Sequence, residues 1–235
     1  IIAGGNGGSG IVIVKYPQLN MVTSIGVSNV TPTSAVAYAT LRTNADVYLY
    51  WDTMDKGDNR AAWAGTNFVG SSMATGLIQN AIMSGFTSNT TYCYRFLATN
   101  GSLSGWSTLG TILPGAITVT ATVSTVLESG PGSAQFTVYR PQVAYTDLRV
   151  DYTVAGNAIP GTHYLALAGS VVIPAGAVSA TVPVTPINDG MVFQGNQMVE
   201  LRVSPTAYWA GAASNATVII VDEESMADWR LALFT

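Results

Sequence analysis

The residue types that most often carry nucleophilic and acid/base catalysis are scarce in this chain. His163 is the only histidine and Cys93 the only cysteine, so any Ser-His-Asp or Cys-His arrangement depends on a single histidine. A zinc site with two or more histidines is excluded, and one cysteine cannot form an internal disulfide. Cys93 lies between Tyr92 and Tyr94 in a strand-like run, which favours a small buried apolar residue over a nucleophile. We therefore expect no catalytic residues and no enzymatic activity.

Three aspartates cluster in a polar loop, at Asp52, Asp55 and Asp58. Carboxylate oxygens are the ligands that calcium prefers, but the spacing here is not that of an EF-hand loop. A glycosidase pair would require two carboxylates from separate strands beside aromatic platforms. We interpret the segment as a solvated loop, and binding of an adventitious cation remains the alternative.

A glycine-rich segment, residues 4–10, precedes four consecutive β-favouring apolar residues, Ile11, Val12, Ile13 and Val14. The glycines fit the G-x-G-x-x-G pattern, but a dinucleotide site requires a helix after them, and a strand-like run follows here. A surface strand alternates apolar and polar residues, so this run should be covered on both faces. We predict that it forms an interface with another copy of the chain by strand addition. Packing within the same chain, or closing a preceding glycine-rich domain, are the alternatives.

The composition excludes several classes of partner. Only 9% of the residues are charged and the net charge is −4, so the basic surface that drives nucleic-acid binding is missing. No apolar run approaches the roughly 18 residues that span a bilayer, and we expect no membrane insertion. The first residues lack both an initiator methionine and a basic signal region, so we expect a processed or partial chain. The length of 235 residues suits two sandwich domains of about 100 residues each.

Short alternating runs predict an all-β fold with two separate cores. Residues 47–51 and 148–154 both alternate between two faces, as half-buried strands do. Pro114 interrupts the strand pattern between these halves. The last residues have helical spacing after a capping serine. We predict a glycine-rich segment with a hydrophobic strand, two tandem immunoglobulin-like β-sandwiches and a short C-terminal helical tail, over residues 1–20, 21–113, 114–224 and 225–235.

The run from Gly85 to Gly101 resembles the late strands of a fibronectin type III-like domain of the kind found in bacterial surface proteins. It contains the threonine, the two alternating tyrosines, the arginine and the asparagine-glycine ending of that signature. The resemblance covers residues 21–113 and implies a β-sandwich. It also suits a tyrosine corner, in which the hydroxyl of the tyrosine before the central strand bonds to nearby backbone.

Several runs of the second half, in their order along the chain, resemble successive blocks of a Calx-beta domain: 128–138, 150–158, 160–164, 172–176 and 217–224. Together they cover residues 116–224. The resemblance implies a seven-stranded immunoglobulin-like sandwich, a type that is common in cell-surface, adhesive and matrix proteins.

The Calx-beta resemblance also implies a calcium site built from acidic loop residues at one pole of the sandwich. Acidic positions of that site are matched by Glu128, Asp189, Asp222 and Glu223. Neutral residues stand where the family usually has carboxylates, at His163, Asn188, Gln194 and Gln197. Because carboxylates set calcium affinity, we expect a weak or vestigial site that holds one calcium ion or none, and no other cofactor.

Four N-glycosylation sequons begin at Asn29, Asn89, Asn100 and Asn215, as expected for surface loops of a secreted glycoprotein. Beside two scaffold-like domains and no catalytic set, they favour a non-enzymatic structural or adhesive component of an extracellular bacterial surface assembly or fibre. Polymerisation by N-terminal strand donation would build the filament. The alternative is a carbohydrate- or calcium-binding accessory module of a larger secreted protein, which would bind surface glycans on exposed aromatic residues such as Tyr48 and Tyr50.

Overall fold

The structure is a computed structural model that describes residues 20–191, 194–204 and 213–222. Within these ranges the chain forms sixteen β-strands and one 3-10 helix, Arg60–Ala62, which confirms the all-β prediction. In the same ranges no helix is long and apolar enough to cross a bilayer. The Ile11–Val14 run and the tail at 225–235 lie outside the described residues.

The strands fall into two groups of eight, called module 1 and module 2 below. Module 1 contains β1 (Val22–Ser28), β2 (Ser34–Leu41), β3 (Ala45–Asp52), β4 (Gly65–Met73), β5 (Gly76–Ser84), β6 (Tyr92–Asn100), β7 (Leu103–Trp106) and β8 (Gly110–Ile112). Module 2 contains β9 (Thr118–Val123), β10 (Thr125–Leu127), β11 (Ala134–Tyr139), β12 (Leu148–Ala155), β13 (Ser170–Ile173), β14 (Ser179–Val184), β15 (Gln197–Val203) and β16 (Asn215–Val221).

Module 1 is a sandwich of two antiparallel sheets. One sheet has the strand order β1-β2-β5, and the other has the order β4-β3-β6-β7, with β8 also paired to β6. Alternation along the strands puts Val47 and Leu49 of β3 and Phe96 of β6 into the core, where each is fully buried. The hydroxyl of Tyr92, at the start of β6, accepts a hydrogen bond from Thr87 N at 2.9 Å. This contact is a tyrosine corner, as the fibronectin-like signature suggests.

Module 2 is a second sandwich with its own core. Its sheets have the strand orders β14-β11-β9 and β10-β16-β15-β12-β13. β10 pairs with β16 in parallel, whereas the other strand pairs of the module are antiparallel. Phe136, Val150, Leu201 and Val218 are fully buried between the sheets. Val154, which the alternation of residues 148–154 places on the buried face, is instead 36% exposed near the end of β12.

The two modules meet at a loop between β11 and β12, residues 141–147, called the junction loop below. Tyr145 N donates a hydrogen bond to Val27 O of β1 at 2.7 Å. The ring of Tyr145 also lies 5.0 Å from the ring of Tyr38, measured between centroids. A backbone hydrogen bond and an aromatic contact therefore hold this loop of module 2 against module 1.

Arg140, the residue before the junction loop, holds the loop from within module 2. It is 6% exposed, and its guanidinium donates to three backbone carbonyls, Ala177 O at 2.7 Å, Thr146 O at 3.0 Å and Pro174 O at 2.7 Å. Burial lowers the pKa of Arg140, because the charged guanidinium loses solvation. The bonds to Thr146 and Pro174 tie the end of the junction loop to the turn after β13.

Candidate functional site

The acidic residues that the sequence analysis assigns to calcium lie in loops at one end of module 2. Glu128 follows β10, and Asp189 lies between β14 and β15. Glu128 is 6% exposed, and its Oε1 accepts a hydrogen bond from Asp189 N at 2.8 Å. Asp222, directly after β16, accepts a hydrogen bond from Gly195 N at 3.1 Å through Oδ2. The loop between β14 and β15 therefore connects these residues.

The carboxylate of Asp189 accepts hydrogen bonds mainly from its own loop. Oδ1 accepts from Gln194 Nε2 at 2.6 Å and from Met191 N at 2.9 Å. These bonds, that of Gln194 first, hold the pKa of Asp189 below its usual value. The other oxygen, Oδ2, is buried and has no hydrogen-bond partner among the described residues. It lies 3.7 Å from His163 Nε2.

His163, in the loop between β12 and β13, is 7% exposed and faces Asp189. Its Nδ1 accepts a hydrogen bond from Ile159 N at 2.9 Å. In the neutral ring the proton is therefore on Nε2, the nitrogen that faces the Asp189 carboxylate. His163 thus presents an N–H donor, rather than an oxygen ligand, to Asp189.

This pole does not fit a calcium ion well. The structure brings Glu128 and Asp189 into contact and places Asp222 one hydrogen bond from the same loop, while Glu223 lies outside the described residues. In the described ranges no group of three or more His, Cys, Asp or Glu residues could hold a metal ion. An amide and an imidazole direct N–H groups toward Asp189, where a calcium site would require oxygen ligands. The carboxylates are stabilised by donors of the protein itself.

The acidic loop of module 1 folds onto the outer surface of its own sheet. Asp55 accepts two hydrogen bonds from Arg95, at 2.9 Å from Nε to Oδ1 and at 2.6 Å from Nη2 to Oδ2. These bonds lower the pKa of Asp55. Asp52 Oδ2 accepts a hydrogen bond from Ala64 N at 3.0 Å. Asp55 and Asp58 are exposed, as expected for a solvated loop, and Asp52 and Asp55 are in addition hydrogen-bonded to other parts of the module.

An aromatic cluster lies beside that loop on the outer face of β3. Tyr50 and Trp63 are each 7% exposed, and the Trp106 ring lies 5.2 Å from the Tyr50 ring and 6.4 Å from the Trp63 ring. At the other end, the half-buried Tyr48 lies 5.0 Å from Phe68, which is 53% exposed. Tyr50 is therefore not the exposed aromatic residue that the sequence suggests, because two tryptophans cover it.

Cys93 borders this aromatic cluster and is half-buried rather than fully buried. Desolvation by burial raises the pKa of its thiol, because a partly buried environment disfavours the thiolate. A thiol that stays protonated is a poor nucleophile, and its environment is that of a packing residue.

The four sequon asparagines are all exposed. Asn29 and Asn89 lie in left-handed turns, with φ values of 48° and 61°. The side-chain amides of Asn100 and Asn215 donate hydrogen bonds to neighbouring residues, each at 2.9 Å. A glycan replaces one of the two N–H groups of a side-chain amide, so at Asn100 and Asn215 it would compete with these bonds.

Comparisons with known proteins were made by sequence and by structure. By sequence, no family model and no curated protein matches the chain. By structure, the chain is similar to the apo form of the Calx CBD1 domain, with 24% identity over 46% of this chain and 99% of that one, at a TM-score of 0.39. The D0–D1 domain of intimin matches 85% of this chain and 97% of its own, with 14% identity and a TM-score of 0.30. The FN1–FN3 domains of chicken CNTN1 match 87% of this chain and 67% of their own, with 12% identity and a TM-score of 0.32.

Proposed function

We propose that the chain is a non-enzymatic structural or adhesive component of an extracellular assembly, in which both modules act as spacers. The observation that carries this proposal is the junction, where the buried Arg140 fixes a loop that is bonded to β1 of the other module. A spacer must hold its modules in one orientation, and a hydrogen-bonded, aromatic contact serves that purpose better than a flexible linker. The polar residues described above are hydrogen-bonded to other parts of the protein. Among the described residues, they do not form a catalytic arrangement around a substrate pocket.

We further propose that copies of the chain polymerise by donating the Ile11–Val14 run to a neighbouring copy. Four consecutive β-favouring apolar residues require cover on both faces. Glycines before the run and Pro17 after it separate the run from the adjoining module. Contact repeated from copy to copy without closure produces a filament.

Replacing Val12 and Val14 by lysine is expected to abolish assembly, because two charges would have to be buried without partners. Electron microscopy and light scattering of the 235-residue chain measure this directly. The matched control carries the same two charges outside the run, as Ser9→Lys with Gln18→Lys, and should assemble like the parent. If the Val12→Lys, Val14→Lys variant assembles as well as the parent, strand donation is wrong.

Calcium is expected to have little effect on the melting temperature of module 2. A ligand stabilises a protein only by binding the folded state more tightly, and N–H donors face Asp189 at the pole. Thermal melts in calcium and in chelator should nearly coincide. The variant His163→Asp with Gln194→Glu, which restores two carboxylates, should become calcium-dependent. A shift of more than about 10 °C in the parent would contradict the prediction, because it corresponds to several kcal/mol for a domain of this size.

A further inference from the structure

The backbone of β14 has one hydrogen-bonding edge that is left open by module 2. Arg140 N donates to Val178 O at 2.9 Å, in the same register that pairs β11 with β14. Because alternate residues of an antiparallel strand bond to the same neighbour, the even-numbered residues of β14 bond to β11. Ser179, Thr181 and Pro183 therefore direct their backbone groups away from β11.

A second open edge lies beside the first, on β13. Tyr152 N donates to Gly169 O at 2.9 Å, in the register that pairs β12 with β13. By the same alternation, Ser170 and Val172 direct their backbone groups away from β12. The side of module 2 between β13 and β14 thus presents two rows of backbone groups that no described strand pairs with.

A cleft of about 330 Å³ lies along this side of module 2. Its walls are largely apolar and include Tyr152, Leu165, Leu167, Val171, Thr181 and Pro183. Leu165 is 57% exposed, and its backbone N donates to Thr185 O at 3.0 Å, which closes the β14 edge at that end. The open part of the edge therefore extends from Ser179 to Pro183.

Three edge strands of module 1, β5, β4 and β1, are partly protected by contrast. On β5, the outward carbonyls of Ile82 and Ser84 accept hydrogen bonds from side chains, Asn67 Nδ2 at 3.0 Å and Trp51 Nε1 at 3.0 Å. The pairing of β4 with β3 has two register shifts, which bend that edge. On β1, the Val27 carbonyl is occupied by the junction loop. Natural sheets protect their edges in these ways.

We infer that the cleft between β13 and β14 is the acceptor for the Ile11–Val14 run of a second copy, which would pair with the open edge of β14. The inference rests on the proposed strand donation and specifies the surface that receives the donated strand. The four residues of the run span roughly 13 Å at about 3.3 Å per residue, so they fit within the open edge from Ser179 to Pro183. One face of the strand would contact the apolar cleft. Its backbone would satisfy the groups of Ser179 and Thr181, and the carbonyl of Pro183.

Two variants of the 235-residue chain test this acceptor by complementation. Val12→Lys with Val14→Lys blocks the donor and leaves the cleft intact. Thr181→Pro blocks the acceptor, because it removes an N–H that points away from β11. The hydrogen bonds of β14 to β11 remain. Proline is tolerated at such a position, since Pro183, two residues further along β14, has the same orientation. Each variant alone should remain monomeric. An equimolar mixture should form dimers, because the intact donor of one variant can occupy the intact cleft of the other. The dimers should grow no further, because the remaining donor and the remaining cleft are the altered ones. Size-exclusion chromatography with light scattering measures both results.

The outcomes separate this inference from the proposal on which it rests. Thr181→Ser keeps the N–H and should assemble like the parent. If Thr181→Pro assembles like the parent while the lysine variant does not, the acceptor is wrong and strand donation stands. If both variants keep the parent's circular dichroism and melting temperature but their mixture stays monomeric, the acceptor is also wrong. If the parent is monomeric, or the lysine variant assembles normally, strand donation itself is wrong.

Discussion

Replacing Gly156 by alanine is expected to prevent module 2 from folding stably. A Cβ at this position would lie 2.1 Å from Met198 O, a backbone atom of β15, and the φ of Gly156 is +114°, where L-residues are strained. Backbone cannot rotate away as a side chain can, so we expect a loss of more than about 4 kcal/mol in the free energy of unfolding. The melting temperature of module 2 should fall by about 20 °C or more, measured by near-ultraviolet circular dichroism.

Gly161 supplies the matched control for that substitution. Its φ is +81°, but no atom lies within 4 Å of the Cβ that alanine would add. Gly161→Ala should therefore cost only about 1–2 kcal/mol, the strain of a left-handed alanine. If the two variants melt at the same temperature, the contact with Met198 does not determine the fold of this turn.

Replacing Arg140 by methionine is expected to lower the free energy of unfolding of module 2 by about 4 kcal/mol. Methionine fills much of the same space but leaves the carbonyls of Ala177, Thr146 and Pro174 without their donor. The three bonds are partly buried, and an acceptor that loses its partner away from solvent costs about 1–3 kcal/mol. Urea unfolding monitored by far-ultraviolet circular dichroism measures the change. Because Arg140 also fixes the junction loop, the two modules should unfold in better-separated transitions than in the parent.

Arg149→Met is the control for the loss of an arginine in the same module. Arg149 pairs with Asp151 at 2.8 Å, but its side chain is 70% exposed. An exposed ion pair contributes about 0–1 kcal/mol, so this variant should unfold close to the parent. If the two substitutions destabilise module 2 equally, the hydrogen bonds from Arg140 to the three carbonyls are not what stabilises the loop.

The strands of both cores could be predicted because their signal is local. Val47 and Leu49 alternate with outward residues, and both are fully buried. The period of two along a strand requires no knowledge of the partner strand. Val154 departs from this pattern, because alternation tells which face a residue occupies but not where along the strand the covering sheet ends.

The aromatic cluster could not be predicted because its contacts are not local. Phe68 lies directly opposite Tyr48 in the ladder between β3 and β4, a register that includes two irregularities. Trp63 follows the short 3-10 helix and Trp106 ends β7, so neither has a periodic pattern that points to Tyr50. The alternation of Tyr48 and Tyr50 predicts which face of the sheet they occupy. It does not predict which side chains pack over them.

The residues assigned to the pole of module 2 follow from a family resemblance rather than from residue spacing. Glu128 and Asp189 are 61 residues apart in sequence and share a hydrogen bond, which no local pattern indicates. The resemblance suggests a depleted set of carboxylates, but not that Gln194 and His163 would direct N–H groups at Asp189. Those directions depend on side-chain conformations that only the folded loops determine.

The parallel pairing of β10 with β16 determines how module 2 responds to tension along the chain. β10 lies near the start of the module and β16 near its end, and they pair from Thr125 with Ile219 to Leu127 with Val221. Pulling on the two ends draws parallel strands in opposite directions along their common axis. The hydrogen bonds between them are then loaded together in shear, instead of opening one after another as in a peeled hairpin. Tension applied at the two ends of module 2 would thus be resisted at this strand pair.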